Sequence, residues 1–317
     1  MTTYKDIYGQ NIEVLSSDPS NPTLGQIWYN TSSNQMKGFR AVLGGVWTTG
    51  NALNKGRRYM GSAGTQTAAL GFGGTPDRPE GLTEKYNGTS WTTNPNAMGT
   101  GRYYPGGTGT QTAALAFGGA YSPSGFNNTE KFNGTSWSPT GNMGNARYAP
   151  GTSGTQTATL AFGGVGNPAS GTATELFTST SWTTNPTGLN STCNKQGSAG
   201  TQTAAISFGG TTDSSRQTEL WNGSSWTVSP QQMNSGRRSM GSAGTQTSAL
   251  GFGGYSPTTG ATELWNGSTW SNQNTMGAGR YGLIGCGDTT NALAFGGNTA
   301  SAAFTEEYNP EVAIAIF

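Results

Sequence analysis

Six glutamates, Glu84, Glu130, Glu175, Glu219, Glu263 and Glu306, recur at intervals of 43 to 46 residues. Arginines recur in step with them at Arg57, Arg102, Arg147, Arg237 and Arg280, and Cys193 stands where the series would place a sixth. Clustered carboxylates are the machinery of glycoside hydrolysis, in which two of them flank the scissile bond. That chemistry needs two carboxyl groups in unlike environments, so that one keeps its proton while the other is ionised. Glutamates set six times in the same local sequence have like environments. They read instead as scaffold, each pairing with an arginine or accepting backbone N–H groups, with Glu219 satisfied in some other way.

Other reaction chemistries lack their residues. The 317-residue chain has no His and only two Cys, Cys193 and Cys286. Zinc sites of His and Cys, a Ser-His-Asp triad and a Cys-His pair are thereby excluded. Nothing in the cysteine spacing asks for a disulfide. No Ser-x-Asp-x-Gly-x-x-Trp box of the sialidase type occurs, and Asp6, Asp18, Asp77, Asp213 and Asp288 do not have calcium-loop spacing. The expectation is a protein without catalytic residues, metal or cofactor. Its net charge of +1, with Lys and Arg scattered, gives no footprint for nucleic acid. The N-terminal stretch has no apolar core of a secretory signal and no run approaches a membrane span, so a soluble chain without membrane insertion is expected.

The elements that must hold these residues are written as a repeat. GTQTAALGFGG at 64–74 returns at 109–119, 154–164, 200–210 and 244–254 with small changes, and as GDTTNALAFGG at 287–297. Each copy is followed by Thr-Glu and an aromatic position, then mostly by Asn-Gly-Thr/Ser-Ser/Thr-Trp. The short apolar run ended by glycines reads as a buried strand. Asn87-Gly88, Asn133-Gly134, Asn222-Gly223 and Asn266-Gly267 suit type I′ hairpin turns. They also match Asn-x-Ser/Thr sequons, but the turn reading is preferred because no secretory signal accompanies them. Four strands per period of about 45 residues is the pattern of a β-propeller blade.

The order of Gly-Gly, aromatic, Trp, then Met and Arg resembles the kelch repeat over residues 37–309. The resemblance implies an all-β, six-bladed kelch-type β-propeller, and it implies fold more than activity. Six Phe-Gly-Gly strands and six Thr-Glu strands are present, yet no Trp strand follows Tyr308-Asn309. Trp47 lies before Arg57 at the spacing the other tryptophans keep, so the ring is expected to close with strands from both termini, which removes two exposed edges. The alternative is a seventh blade built from 26–48 and the tail 312–316. Trp47, Trp91, Trp137, Trp182, Trp226 and Trp270 fill one slot and are expected to pack between blades rather than to bind sugars, because a chain with 52 Gly and only 32% hydrophobic residues needs buried aromatics.

What differs between repeats is where recognition belongs. The connections after Gly-Gly vary most, and they share a face with the Trp-to-Arg connections. Tyr121, Phe126 and Tyr255 are the candidate aromatic anchors there, and Arg78, Asp213 and Arg216 the candidate polar contacts.

Residues 1–36 lie outside the repeat as an N-terminal arm and hairpin, and 310–317 form an apolar tail. The Asn-Pro…Gly-Gln-Ile-Trp-Tyr-Asn-Thr segment over 21–31 resembles a hairpin found at the start of bacteriophage virion and tail-fibre proteins, especially marine phage proteins with kelch-like repeats. The resemblance implies a structural protein located in the virion, a tail, fibre or head-decoration module. Its partners would be other virion proteins and a host-surface glycan. The alternative is a carbohydrate-binding propeller of a bacterium. The tail would pair with the last blade or with a neighbouring subunit of a homo-oligomer.

Overall fold

The computed structural model describes residues 12–23, 25–75, 81–121, 124–166, 171–212, 214–255, 257–298 and 302–316. All regular structure among them is β, with no helix. They form two compact units: Trp47–Asn309, and the residues up to Val46 together with those from Pro310 onward.

In the larger unit the repeat folds as successive antiparallel sheets. The first consists of Gly61–Thr65, Ala68–Phe72, Thr83–Tyr86 and Trp91–Asn94, paired in chain order. The second runs from Gly106–Gly109 to Trp137–Thr140, the third from Gly151–Gly154 to Ser181–Asn185, the fourth from Gly197–Gly200 to Trp226–Val228 and the fifth from Gly241–Gly244 to Trp270–Gln273, each four-stranded. The sixth contains Ile284–Gly287 and Ala292–Phe295, then Thr305–Ile316, and beside it Gln35–Gly50, whose residues 47–50 supply the outermost strand of this unit. There the Thr48 hydroxyl donates to Glu307 O over 3.3 Å. The first strand of each sheet lies against the first strand of the next, and Ile284–Gly287 lies against Gly61–Thr65, so the succession returns to its start.

The alternation of large and small residues explains how the sheets stack. Leu70 and Phe72 of the first sheet pack with Ala114, Ala116 and Phe132 of the second, and Leu115 and Phe117 of the second with Ala161 and Phe177 of the third. A strand such as Ala114–Phe117 is thus buried on both faces, which is why it reads as a continuous apolar run. Within the first five sheets, glycine is required opposite the phenylalanine of the second strand. A Cβ on Gly61 would sit 2.3 Å from the Phe72 ring, and the same clash recurs at Gly106 against Phe117.

The Asn-Gly turns differ from the type I′ expectation. Tyr86 pairs with Trp91, which leaves a four-residue loop over 87–90. Of its two central candidates only Gly88 has positive φ, at 86°. The Asn87 side-chain oxygen accepts the N–H groups of Thr89 and Ser90 at 2.9 and 2.8 Å, so the asparagine organises the loop without leaving the negative-φ region.

In the smaller unit Ile27–Asn30 pairs antiparallel with Gln35–Gly50 from Asn30↔Gln35 to Ile27↔Gly38, and parallel with Glu13–Leu15. Asp18 ties this hairpin together. Its carboxylate accepts from the Trp28 indole at 3.1 Å and Asn30 Nδ2 at 2.7 Å, and pairs with Lys37 Nζ at 2.9 Å. The Lys37 hydrogen bond, followed by those of Asn30 and Trp28, holds the Asp18 carboxyl below the usual carboxylate range.

Candidate functional site

Five of the recurring glutamates meet their arginines. Arg57–Glu84 and Arg237–Glu263 are 2.6 Å apart, Arg147–Glu175 is looser at 3.4 Å, and Arg102–Glu130 and Arg280–Glu306 are direct hydrogen-bonded pairs. All six glutamates are buried. Each of the five paired glutamates also accepts a backbone N–H from the connection leading to its arginine, for example Asn54 N to Glu84 at 2.9 Å and Asn234 N to Glu263 at 2.6 Å. In the first three sheets the arginine caps two carbonyls as well, such as Gly73 O and Leu82 O for Arg57. Burial lowers the affinity of Arg102, Arg147, Arg237 and Arg280 for their protons, and the partner glutamate opposes that. The pairs lock the strand ends to the incoming chain, and they leave these carboxylates no open face for a substrate.

The fourth sheet solves the same problem with neutral donors. Glu219 accepts from Asn190 N and Nδ2, Ser191 N and Gln217 Nε2, while the Cys193 thiol points to Gly209 O at 3.2 Å. Burial pushes the Cys193 thiol up to about 11 and Cys286 to about 12; both are free cysteines.

The tryptophans join neighbouring sheets in a full cycle. Trp137 donates to Thr83, Trp182 to Thr129, Trp226 to Thr174, Trp270 to Thr218, Trp47 to Thr262 and Trp91 to Thr305, all at 2.9 to 3.0 Å. Each ring also packs against the Phe of the preceding sheet, with centroids 4.6 to 5.0 Å apart.

Sequence reading assigned no role to the glutamine of Gly-Thr-Gln-Thr, which proves to be a clamp. Gln156 Nε2 donates to Ala114 O at 3.0 Å and Phe132 O at 2.7 Å in the sheet before its own, and Gln66, Gln111, Gln202 and Gln246 repeat the contact. The only signal in the sequence was repetition of an amide in a tight turn. Gln156→Ala leaves two carbonyls without this donor and is expected to cost about 1–3 kcal/mol. Urea unfolding of the variant measures it.

The variable-loop candidates are dispersed. Tyr121 is 51% and Tyr255 37% exposed, Phe126 is half-buried, and Arg216 is exposed with Nη1 3.3 Å from Asn234 O. Tyr121 and Phe126 belong to the second sheet's connection, Arg216 to the fourth's and Tyr255 to the fifth's. Arg78 and Asp213 lie outside the described residues.

Closer to the centre, the first strands enclose a channel of about 190 Å³ lined by small residues. Hydroxyls lace these strands together: Ser198 donates to Thr152 O, Ser242 to Ser198 O, Thr152 to Gly107 O and Ser62 to Gly285 O, at 2.8 to 3.1 Å. At one mouth the backbone itself forms a cycle. Tyr104 N donates to Tyr59 O, Ala149 N to Tyr104 O, Lys195 N to Ala149 O, Ser239 N to Lys195 O, Gly282 N to Ser239 O and Tyr59 N to Gly282 O, at 2.7 to 3.1 Å. All six residues have φ between 52° and 67°, although only one is glycine.

Their side chains build a tyrosine and cation cluster. Tyr59 and Tyr104 stack with centroids 4.1 Å apart, Tyr148 lies 6.2 Å from Tyr104, and Lys195 Nζ is 5.4 Å from the Tyr104 ring centre. Burial, then the neighbouring Tyr59, pushes the Tyr104 hydroxyl far above its ordinary value, against opposing pulls from Ser239 and Arg238. A cavity of about 70 Å³ opens here, sharing Pro105, Pro150, Gln196, Met240 and Ile284 with the channel. Among the described residues no Asp or Glu lines either space. The adjoining residues pair with those after Gly-Gly, as Tyr103 does with Ala120 and Arg238 with Tyr255, so this mouth lies on the variable-loop face.

No protein-family model matches the chain, and a search of curated proteins finds none that matches it.

Proposed function

We propose that residues 47–309 form a six-bladed, kelch-type β-propeller serving as a rigid structural and attachment module of a bacteriophage virion. The observation that carries the scaffold reading is the threefold cycle of backbone, Trp-to-Thr and strand contacts, each returning to its start after six sheets. In a seven-bladed arrangement 26–48 would need an inner partner of its own, whereas Trp47 packs on Phe252 and Tyr308 as the outer strand of the sixth sheet. The virion reading rests on the resemblance of the Gly-Gln-Ile-Trp-Tyr-Asn-Thr hairpin, which pairs over Ile27–Asn30 and is braced by Asp18. The hairpin would dock the module to other virion proteins, leaving the variable-loop face for the host surface. A binding role fits a chain whose six repeated carboxylates are spent on its own arginines and backbone.

Mass spectrometry of purified virions tests this reading. The chain is expected among particle proteins, and deleting residues 1–36 is expected to remove it from particles while the remainder still folds. A chain found only in the lysate and never in the particle would overturn it.

A further inference from the structure

Around its glutamate the fourth sheet departs from the other five in two neighbouring residues. Cys193 stands in the arginine position, and a serine stands opposite the carboxylate. Directly across the strand pair from their glutamates the other sheets carry Gly71, Ala116, Ala161, Gly251 and Ala294, whereas Ser207 faces Glu219. The sheet that lacks the guanidinium is the one that brings a hydroxyl to the carboxylate.

Hydrogen bonding and charge are separate requirements at this position. Glu219 is 3% exposed and takes N–H donors from Asn190, Ser191 and Gln217, all of them neutral. Among the described residues no Lys or Arg pairs with it, whereas each of the other five glutamates has a guanidinium at 3.4 Å or less. A buried carboxylate held by dipoles alone keeps an uncompensated charge, which is costly in a medium of low dielectric.

The space left by the arginine is only partly filled. The Cys193 thiol reaches Gly209 O at 3.2 Å, the carbonyl that corresponds to Gly73 O, Gly118 O and Gly163 O under the arginines of the first three sheets. Beside it remains a cavity of about 20 Å³, whose lining includes Cys193, Ser207, Gly209, Ser215, Gln217 and Glu219. About 10–15 Å³ suffices for one occupant of the size of water. Carboxylate, hydroxyl and carbonyl oxygens are the ligands of hard cations, and the single carboxylate in this lining balances a single positive charge. Potassium and ammonium are close to water in size, whereas a free guanidinium is too large for the cavity.

We infer that this cavity is a monovalent cation site, taken by an ion of the size of potassium or ammonium, which gives the fourth sheet the positive charge that arginine gives the other five. The site does not depend on the virion reading, since it rests on the interior of one sheet.

Thermal unfolding of the full chain in the chlorides of potassium, ammonium, sodium and choline tests it. At one ionic strength screening is the same in all four salts, and only an ion that binds the folded state raises the melting temperature. Potassium and ammonium are expected to raise it by about 2 °C or more over choline, levelling off as the site fills, with sodium giving less. Glu219→Gln removes the charge and is expected to abolish the difference between salts. Cys193→Arg combined with Ser207→Ala recreates the constellation of Arg102, Ala116 and Glu130 in the second sheet and is expected to abolish it too. If Glu219→Gln does not fold, the double variant decides. Crystals soaked in rubidium chloride are expected to show an anomalous peak beside Glu219 and Ser207. Equal melting temperatures in all four salts, a preference for sodium, a potassium effect that survives the double variant, or water alone where rubidium is expected overturns the assignment.

Discussion

Arg237→Met is expected to destabilise the protein by about 3–5 kcal/mol, because it leaves a buried carboxylate without its cation. Glu263 is 1% exposed and Arg237 is 1% exposed, so water cannot replace the lost partner. Two backbone donors, Asn234 N and Ser235 N, remain on the carboxylate but bring no full charge. The Gly251 carbonyl also loses Nη2, 3.1 Å away. Adding Glu263→Leu should recover a large part of the loss, since two apolar side chains can replace a buried pair without leaving either charge stranded. Chemical denaturation of the single and double variants decides the matter. Equal stability of Arg237→Met and the parent protein would show that the pair contributes nothing. The fourth sheet is the internal comparison: Glu219 lives without an arginine on donors from Asn190, Ser191 and Gln217, whereas Glu263 has the N–H groups of Asn234 and Ser235 but Ala261 where Gln217 stands.

Trp270→Ala has the other large expected effect, about 3–5 kcal/mol for removal of a buried aromatic that leaves a cavity. Trp270 is 7% exposed, packs 4.8 Å from Phe208 of the preceding sheet and 5.6 Å from Trp265 of its own, and donates to Thr218 at 3.0 Å. Trp270→Phe keeps most of the contact and gives up the indole donor, so its expected cost is about 1 kcal/mol. The two variants separate packing from hydrogen bonding in urea melts. A Phe variant as damaged as the Ala variant would mean that the bond to Thr218 dominates the joint.

The all-β class and the repeated sheets were legible because the pattern that encodes them is local. An apolar run ended by Gly-Gly, a Thr-Glu-aromatic run and a Trp run are strands whatever their neighbours, and the four-strand period follows from counting them. The Arg and Glu positions could be found by spacing, but spacing alone did not say that Arg57 also caps Gly73 O and Leu82 O. Gln156 was missed for a different reason. Its partners Ala114 and Phe132 stand 42 and 24 residues earlier and become neighbours only when two sheets stack. The mouth was invisible because its residues share a backbone conformation and not a side-chain type; Tyr59, Lys195 and Gly282 have nothing in common until their φ angles are known. The Asn-Gly loops were legible as turns and misjudged in length, since the asparagine side chain does the work that a second positive φ would do in a two-residue hairpin.

The backbone cycle at the mouth bears on how the molecule comes apart. A linear array of repeats has end units held on one side only, and those units fray first. Here Tyr59 N reaches Gly282 O as Tyr104 N reaches Tyr59 O, so every sheet is held from both sides and the array has no first unit to lose. The residues that bring this about are few: 47–50 from one end of the repeat and 305–309 from the other stand side by side in one sheet, a zipper fastener on a band otherwise made by local hairpins. Opening that fastener converts a band into a ribbon with two exposed edges, and unfolding is then expected to pass from one sharp transition to a gradual loss from the ends.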